Sequence, residues 1–277
     1  MPELPEVETI ARFLRQGIAD QPGILGRKVA GAQVLWARTV AEPDVSSFQE
    51  RLPGQTIQHI DRRGKFLLLR LSQETLLIHL RMSGDLIVEP LNQALAPHHR
   101  VTLEFEDGWR LAFNDARKFG RMWLVADPQS VLGNLGPEPF DRSLEGVGFY
   151  NRVSSFRRQL KPLLMDQHFL AGLGNIYTDE ALHLARLHPL TISSSLTLQQ
   201  SNLLLDCIRQ VLQDGIDRHG TSIDWVYRGG DYQRYLRVYQ RTGEPCLVCG
   251  APVERLVVGQ RGTHYCPSCQ VLSALTS

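Results

Sequence analysis

Residues 101–113 read VTLEFEDGWRLAF, two runs of alternating apolar and polar side chains on either side of Asp107-Gly108. Period-two alternation interrupted by Asp-Gly marks an antiparallel hairpin, because glycine reaches the left-handed turn conformation without steric cost. Working outward, KFLLLRL (65–71), TLLIHL (75–80) and DLIVE (85–89) are further short apolar runs, so the stretch from about 28 to 126 reads as an antiparallel sandwich. Upstream of it, Val7, Ile10, Ala11, Leu14 and Ile18 fall at helical spacing, with Gly17 and DQPG (20–23) closing the segment. One amphipathic helix therefore caps the sandwich. With 277 residues, the chain is long enough for two or three modest domains.

NLGPEPFDRSLEG (134–146) is rich in turn formers and reads as a linker. Helical patterns follow in FRRQLKPLLMD (156–166), GNIYTDEALHLARL (174–187) and TLQQSNLLLDCIRQVLQDGIDRHG (197–220), the last with Thr197 as N-cap and Gly220 beyond its end. The expected organisation is α+β: an N-terminal sandwich domain at 1–130, a linker at 131–150, a helical domain at 151–235 and a cysteine-bearing module at 236–277. Cys246-x2-Cys249-x16-Cys266-x2-Cys269 has the spacing of a tetrahedral four-cysteine zinc site. Four sulfurs leave no open coordination position, so the zinc is structural and holds a β-hairpin presenting VVGQRGTHY (257–265). Cys207 lies on the apolar stripe of a helical pattern and reads as a small buried hydrophobe.

The net charge is only +1, so any nucleic-acid-binding surface has to be a local face. No run of about 18 apolar residues appears and the N-terminus is acidic, which points to a cytoplasmic protein that neither spans a membrane nor is secreted. MPELPEV (1–7) admits two readings. Pro and Glu suit a helix N-terminus, and removal of Met1 would also make Pro2 a free secondary amine. Lys65 follows glycine at the start of an apolar strand, either as a solvated strand end or pointing into a cleft. NDARKFGRMW (114–123) sets Phe119 among Arg117, Lys118 and Arg121: a buried phenylalanine with solvated cations, or phosphate contacts beside an apolar wedge. Met82 in HLRMSGD is core or a second wedge. AGLGNIYTDEAL (171–182) runs a glycine turn into a helix whose exposed amides can hold phosphate near Asn175. Arg261, on the zinc hairpin, offers a forked donor to phosphate oxygens.

The order of MPELPEVET, RRGKFLLL, HLRMSG, DARKFG, LGPEP, GLGNIYTDEAL, RTGEPCLVCG and QRGTHYCPSC along nearly the whole chain resembles the bacterial formamidopyrimidine-DNA glycosylase family. The resemblance implies a two-domain enzyme, a β-sandwich followed by a helix-two-turn-helix region and a zinc finger, which holds damaged duplex DNA between its domains. It further implies a bifunctional glycosylase and AP lyase acting on oxidised purines as a monomer in the bacterial cytoplasm. By the same resemblance Pro2 is the nucleophile and Glu3 the general acid, while Glu6 helps hold the amine and the incoming sugar. Lys65 serves β-elimination and Arg261 δ-elimination. His98 and Asn175 contact phosphates, and Arg157 falls near a basic DNA contact; Met82, Arg117 and Phe119 fill the gap left by a flipped base; Glu180 has a supporting role. GTSIDWVYRGGDYQRYL (220–236) departs from the family's lesion-capping loop, being crowded with Trp225, Tyr227 and Tyr232.

Three alternatives remain. An oxidised-pyrimidine glycosylase of the same superfamily shares Pro2, Glu3, Lys65 and the finger, although ELPEVET rather than an EGPEI-type opening favours the purine enzyme. A catalytically silent damaged-DNA-binding protein would not need Pro2, Glu3 and Lys65 intact. A zinc-stabilised RNA-binding protein would instead read A-form grooves.

Overall fold

The computed structural model describes residues 1–18, 20–222 and 230–272. The chain forms two compact units, Met1–Asn134 with His219–Gly230, and Leu135–Arg218 with Asp231–Ser277.

In the first unit the elements run α1 (Leu4–Gln16), β1 (Val29–Val34), β2 (Val40–Glu42), α2 (Val45–Arg51), β3 (Ile57–Arg63), β4 (Phe66–Leu71), β5 (Thr75–His79), β6 (Gly84–Pro90), β7 (His99–Phe105), β8 (Trp109–Asp115), β9 (Arg121–Val125) and α3 (Gln129–Leu132). They build a four-stranded sheet, β1-β7-β8-β6, and a five-stranded sheet, β2-β9-β5-β4-β3. The 101–113 hairpin forms with Val101 opposite Phe113 and Leu103 opposite Leu111. Gly108 closes its turn at φ 84°. Alternation sends Val101, Leu103, Phe105, Leu111 and Phe113 inward to meet Leu67, Leu69, Leu76 and Ile78 of the other sheet and Val7, Ile10, Ala11 and Leu14 of α1. Each such side chain contributes roughly 1.5–3 kcal/mol on full burial. One expectation fails: β2 runs parallel to β9. Three residues are too few to carry a readable pattern, and the partner strand lies some 80 positions along the chain, so only the tertiary fold sets the direction.

α1 starts where the sequence places it. Glu3 is the N-cap and Pro5 sits in the first turn, where a missing N–H costs nothing. Gly17 ends the helix at φ 78°.

The second unit holds α4 (Gly148–Ser154), α5 (Leu160–Leu164), α6 (Asn175–Leu184), α7 (Leu198–Asp217), β10 (Glu254–Val258) and β11 (Arg261–Tyr265). The 131–150 stretch carries the end of α3, a 3-10 turn at Arg142–Leu144 and the start of α4. Thr197 caps α7 in a reciprocal box with Gln200. On the buried face of that helix, Cys207 has its thiol pushed up to about 11 by desolvation, which makes it inert as a nucleophile. β10 and β11 form a two-residue hairpin whose turn residues Gly259 and Gln260 both have positive φ, 53° and 63°. Among the described residues, no helix is long and apolar enough to cross a membrane.

Candidate functional site

Strand register gathers the predicted residues of the first unit at one end of the sandwich. Phe66 at the start of β4 pairs with His79 at the end of β5, which pairs with Arg121 at the start of β9. In the facing sheet, Gly84 at the start of β6 pairs with Asp115 at the end of β8. The connections carrying Lys65, Met82, His98, Arg117 and Phe119 therefore all leave the sandwich at this end. α1 points its N-terminus the same way. Arg15 near its C-terminus donates to the Ile60 carbonyl at 2.8 Å, while Glu8 pairs with Arg62 at 3.3 Å. This progression runs the N-terminal half of α1 toward the end of β3, where the Gly64–Lys65 turn begins.

Pro2 is buried, as are Glu3, Glu6 and Lys65 at 2%, 2% and 5% exposure, so Lys65 is not a solvated strand end. Glu6 does two things. Its Oε2 accepts from the Glu3 N–H at 2.9 Å, closing a capping box, and its Oε1 accepts from the Thr221 N–H at 2.7 Å. One carboxylate thus fixes the N-terminal segment and the root of the 220–236 stretch, and Gly220 packs so closely that a Cβ there would sit 2.7 Å from Glu6 Oε1. Trp225 and Tyr227 lie outside the described residues. Tyr232 does not crowd a loop: it is buried and stacked on Tyr177 at 5.3 Å between ring centroids.

Asp115, to which the sequence alone assigns no role, organises the two connections beside this cluster. Fully buried, it accepts at Oδ1 from the Ser83 hydroxyl and from the Arg117 N–H at 3.2 Å, and at Oδ2 from the Gly120 N–H at 2.7 Å. The Met82 turn and the 116–120 loop become one assembly. Arg117 lies over the Phe119 ring at 5.3 Å, and Phe119 is 49% exposed rather than core; Met82 is half-buried. The Asp115 carbonyl accepts from Arg100 Nε at 2.7 Å, and an Arg100 terminal nitrogen meets His98 Nδ1 at 3.3 Å. Arginine has no acceptor, so His98 Nδ1 accepts and the ring proton sits on Nε2, in an exposed side chain able to donate to a phosphate. His79 supports the same corner from beneath. Its Nδ1 accepts from the Arg81 N–H at 3.0 Å, and burial together with the charges of Arg81 and Lys65 pushes its pKa down to about 3.

In the second unit the predicted residues surround α6. Asn175, Asp179 and His183 recur every four residues, a spacing that aligns them on one helix face. All three meet the cysteine module. Asn175 Nδ2 donates to the Gly262 carbonyl at 3.2 Å, and Asp179 Oδ2 accepts from the His264 N–H at 2.9 Å. His183 Nε2 lies 3.4 Å from Cys246 Sγ. Lys161 of α5 completes the network, with its ammonium 2.6 Å from Asp179 Oδ1 and 3.1 Å from the Gly262 carbonyl, both charges shut off from solvent. Glu180, on the neighbouring face, accepts from three consecutive N–H groups, those of Arg237, Val238 and Tyr239, at 2.8, 3.0 and 2.9 Å. A polar stripe in an otherwise apolar helix was the available signal, and the sequence reading used only its first member. The network fixes Gly262, so Arg261 beside it projects exposed from a defined position; Arg157 is also exposed, in the segment before α5.

The four cysteine sulfurs lie within 4.8 Å of one another, with Cys246–Cys269 at 3.9 Å and Cys249–Cys266 at 3.5 Å. Tetrahedral zinc with Zn–S bonds of about 2.3 Å needs sulfurs about 3.8 Å apart, so these cysteines fit one structural zinc.

Three family models match the chain. The formamidopyrimidine-DNA glycosylase N-terminal domain matches residues 1–122, the H2TH domain of the same enzymes residues 135–226, and a zinc finger found in FPG and IleRS residues 243–271. The chain belongs to the formamidopyrimidine-DNA glycosylase family. It is 40% identical to the formamidopyrimidine-DNA glycosylase of Protochlamydia amoebophila over 98% of this chain and 99% of that protein. With the Chloroflexus aurantiacus enzyme the identity is 44%, over 98% of each. Among solved structures, the Lactococcus lactis glycosylase bound non-covalently to DNA containing an AP site superposes with TM-score 0.89 at 36% identity, covering 98% of this chain and all of that one. A MutM complex with DNA containing carbocyclic 8-oxo-G gives 0.88 at 37% identity, with 98% and 100% coverage.

Proposed function

We propose that this chain is a bifunctional DNA glycosylase and AP lyase that removes oxidised purines, 8-oxoguanine and formamidopyrimidines, from duplex DNA. The observation that carries the reading is that Pro2, Glu3, Glu6 and Lys65 are all buried, in a chain that matches a family member over 98% of its length. Once Met1 is removed, the Pro2 nitrogen is a secondary amine whose lone pair attacks C1′ of the damaged nucleotide. The glycosidic bond breaks, its electron pair leaves with the base, and the sugar ring opens to an iminium on Pro2. Glu3 supplies the proton this requires, and Glu6, through the Glu3 N–H, holds donor and amine in register. Loss of a C2′ proton then expels the 3′-phosphate with Lys65 assisting, and a second elimination with Arg261 assisting releases the 5′-phosphate.

Met82, Arg117 and Phe119 enter the stack as a unit, filling the gap left by the flipped nucleotide, with Arg117 facing its orphaned partner. His98, Asn175, Arg157 and Arg261 bind phosphates. The zinc, held by Cys246, Cys249, Cys266 and Cys269, shapes the hairpin that carries Arg261 and takes no part in bond breaking. The protein acts as a monomer in the bacterial cytoplasm, at the nucleoid. A relative from Lactococcus lactis has been crystallised with DNA containing an oxidised pyrimidine, which favours pyrimidine lesions as secondary substrates.

The test combines the mass of the mature chain with borohydride trapping on an oxidised-guanine duplex. A chain beginning at Pro2 gives a stable crosslink that maps to its first residue. Glu3→Gln loses base release yet still traps a preformed abasic site. A crosslink at Lys65, or normal excision by protein that retains Met1, refutes the mechanism.

A further inference from the structure

The polar stripe on α6 ends at the metal cluster. His183 is 2% exposed, and its Nε2 lies 3.4 Å from Cys246 Sγ. Cys246 is itself buried, and the Val248 N–H approaches the same sulfur at 3.5 Å. A zinc-bound thiolate carries lone pairs only and can serve solely as an acceptor. The tautomer of His183 then follows from its surroundings. Nδ1 is buried without a hydrogen-bond partner among the described residues. A proton on Nδ1 would leave a buried donor orphaned and turn the Nε2 lone pair against sulfur lone pairs. A proton on Nε2 satisfies the donor and leaves only an acceptor unpaired, the smaller cost.

We propose that His183 is a positioning residue of the zinc centre: its Nε2–H donates to the Cys246 thiolate, drawing charge from a four-thiolate site and locking the metal cluster onto α6. His183 is no fifth ligand, because the four sulfurs already close the tetrahedron. The physical effect is that of hydrogen-bonding partners around other metal ligands, whose loss weakens metal binding roughly 10–100-fold. Here the donor comes from the helix whose first residue, Asn175, grips the Gly262 carbonyl. Metal retention is thereby tied to the helix that also fixes the Arg261 strand.

The experiment uses the full-length zinc-loaded chain and times zinc transfer to a chromogenic chelator. His183→Phe fills the space without a donor and should release zinc about tenfold faster or more. His183→Gln, whose amide N–H reaches about as far as Nε2, should stay within about threefold of wild type. In cobalt-substituted protein the sulfur-to-metal charge-transfer band should move in His183→Phe and return in His183→Gln, which a purely space-filling role would not produce. Equal release from the Phe and Gln variants, whether fast or slow, overturns the proposal. A measurement on wild-type protein removes dependence on variant folding. With 113Cd in the site and 15N-labelled histidine, a scalar coupling between cadmium and the His183 Hε2 proton is the expected result, and its absence overturns the assignment.

Discussion

The β-sandwich unit and the helix–finger unit hold their proposed site residues by different means. In the first, two sheets and α1 enclose a continuous apolar core, and the proposed site residues ride on connections at one end of it, tied by single carboxylates such as Asp115 and Glu6. In the second, the finger's own apolar cluster amounts to Val238, Cys246, Val253 and Cys266 with a few partly buried neighbours, too little to fold alone. Metal and buried polar bonds to α6 supply what apolar area cannot. A large core thus tolerates the loss of one polar tie with local consequences, whereas the finger does not.

Removing zinc is the harshest way to break this contrast. Cys249→Ser should forfeit metal-linked folding energy on the order of 10 kcal/mol, melting the hairpin and abolishing duplex binding while the sandwich transition in calorimetry stays in place. Damage-specific binding by the metal-free variant would contradict it.

Asp179→Ala strands the Lys161 ammonium in a solvent-free site and should destabilise the second unit by about 3–5 kcal/mol, again without moving the sandwich transition. Thermal unfolding followed by circular dichroism checks this.

The sandwich has its own weak point in acid. His79 stays neutral in the fold down to about pH 3, whereas in the unfolded chain it takes up a proton near 6.5. Between these values the unfolded state binds more protons, so stability is retained above about 6.5 and falls with pH across this window. The slope is at most one proton's worth, about 1.4 kcal/mol per pH unit. His79→Gln should flatten that component in urea titrations run from pH 7 to pH 4.

Asp115→Asn presents an amide to a pocket lined by N–H donors and should cost about 1–3 kcal/mol. Because it loosens Met82, Arg117 and Phe119 together, excision should suffer more from well-paired duplexes than from mispaired lesions. The smallest stability changes, within roughly 0.5 kcal/mol, belong to the exposed Phe119→Ala and Arg261→Ala. Their binding profiles should separate: Phe119→Ala follows the Asp115→Asn pattern, and Arg261→Ala weakens binding to all duplexes and lowers the salt slope by about one. Matching profiles from the two variants would collapse the division between wedge and phosphate contact.

Local chemistry made much of this legible. The Asp107-Gly108 turn, the Thr197 cap, the Gly17 stop and the paired cysteines each act within a few residues, so propensity and spacing suffice to read them. Lys65 was ambiguous because its burial is a tertiary outcome: the adjoining strand pairs Phe66 with His79 of β5, and nothing next to residue 65 in the sequence announces it. Tyr232 resembled a loop aromatic until Tyr177 stacked on it. Asp115 was hidden for a similar reason: its partners Ser83, Arg117 and Gly120 come from two separate connections, and nothing near residue 115 announces three convergent donors.

What the sequence determined by itself was the set of elements and the zinc ligands, together with the acidic, proline-bearing start of α1, because short-range sterics, capping and thiolate spacing leave few choices. Only the tertiary structure decided that β2 runs parallel to β9, that Glu6 joins the N-terminus to Thr221 some 215 residues away, and that Asn175, Asp179 and His183 all face the finger. Those outcomes depend on which buried polar groups find partners across the chain. The free energy of satisfying a buried donor or acceptor is set by where distant segments meet and not by the residues on either side.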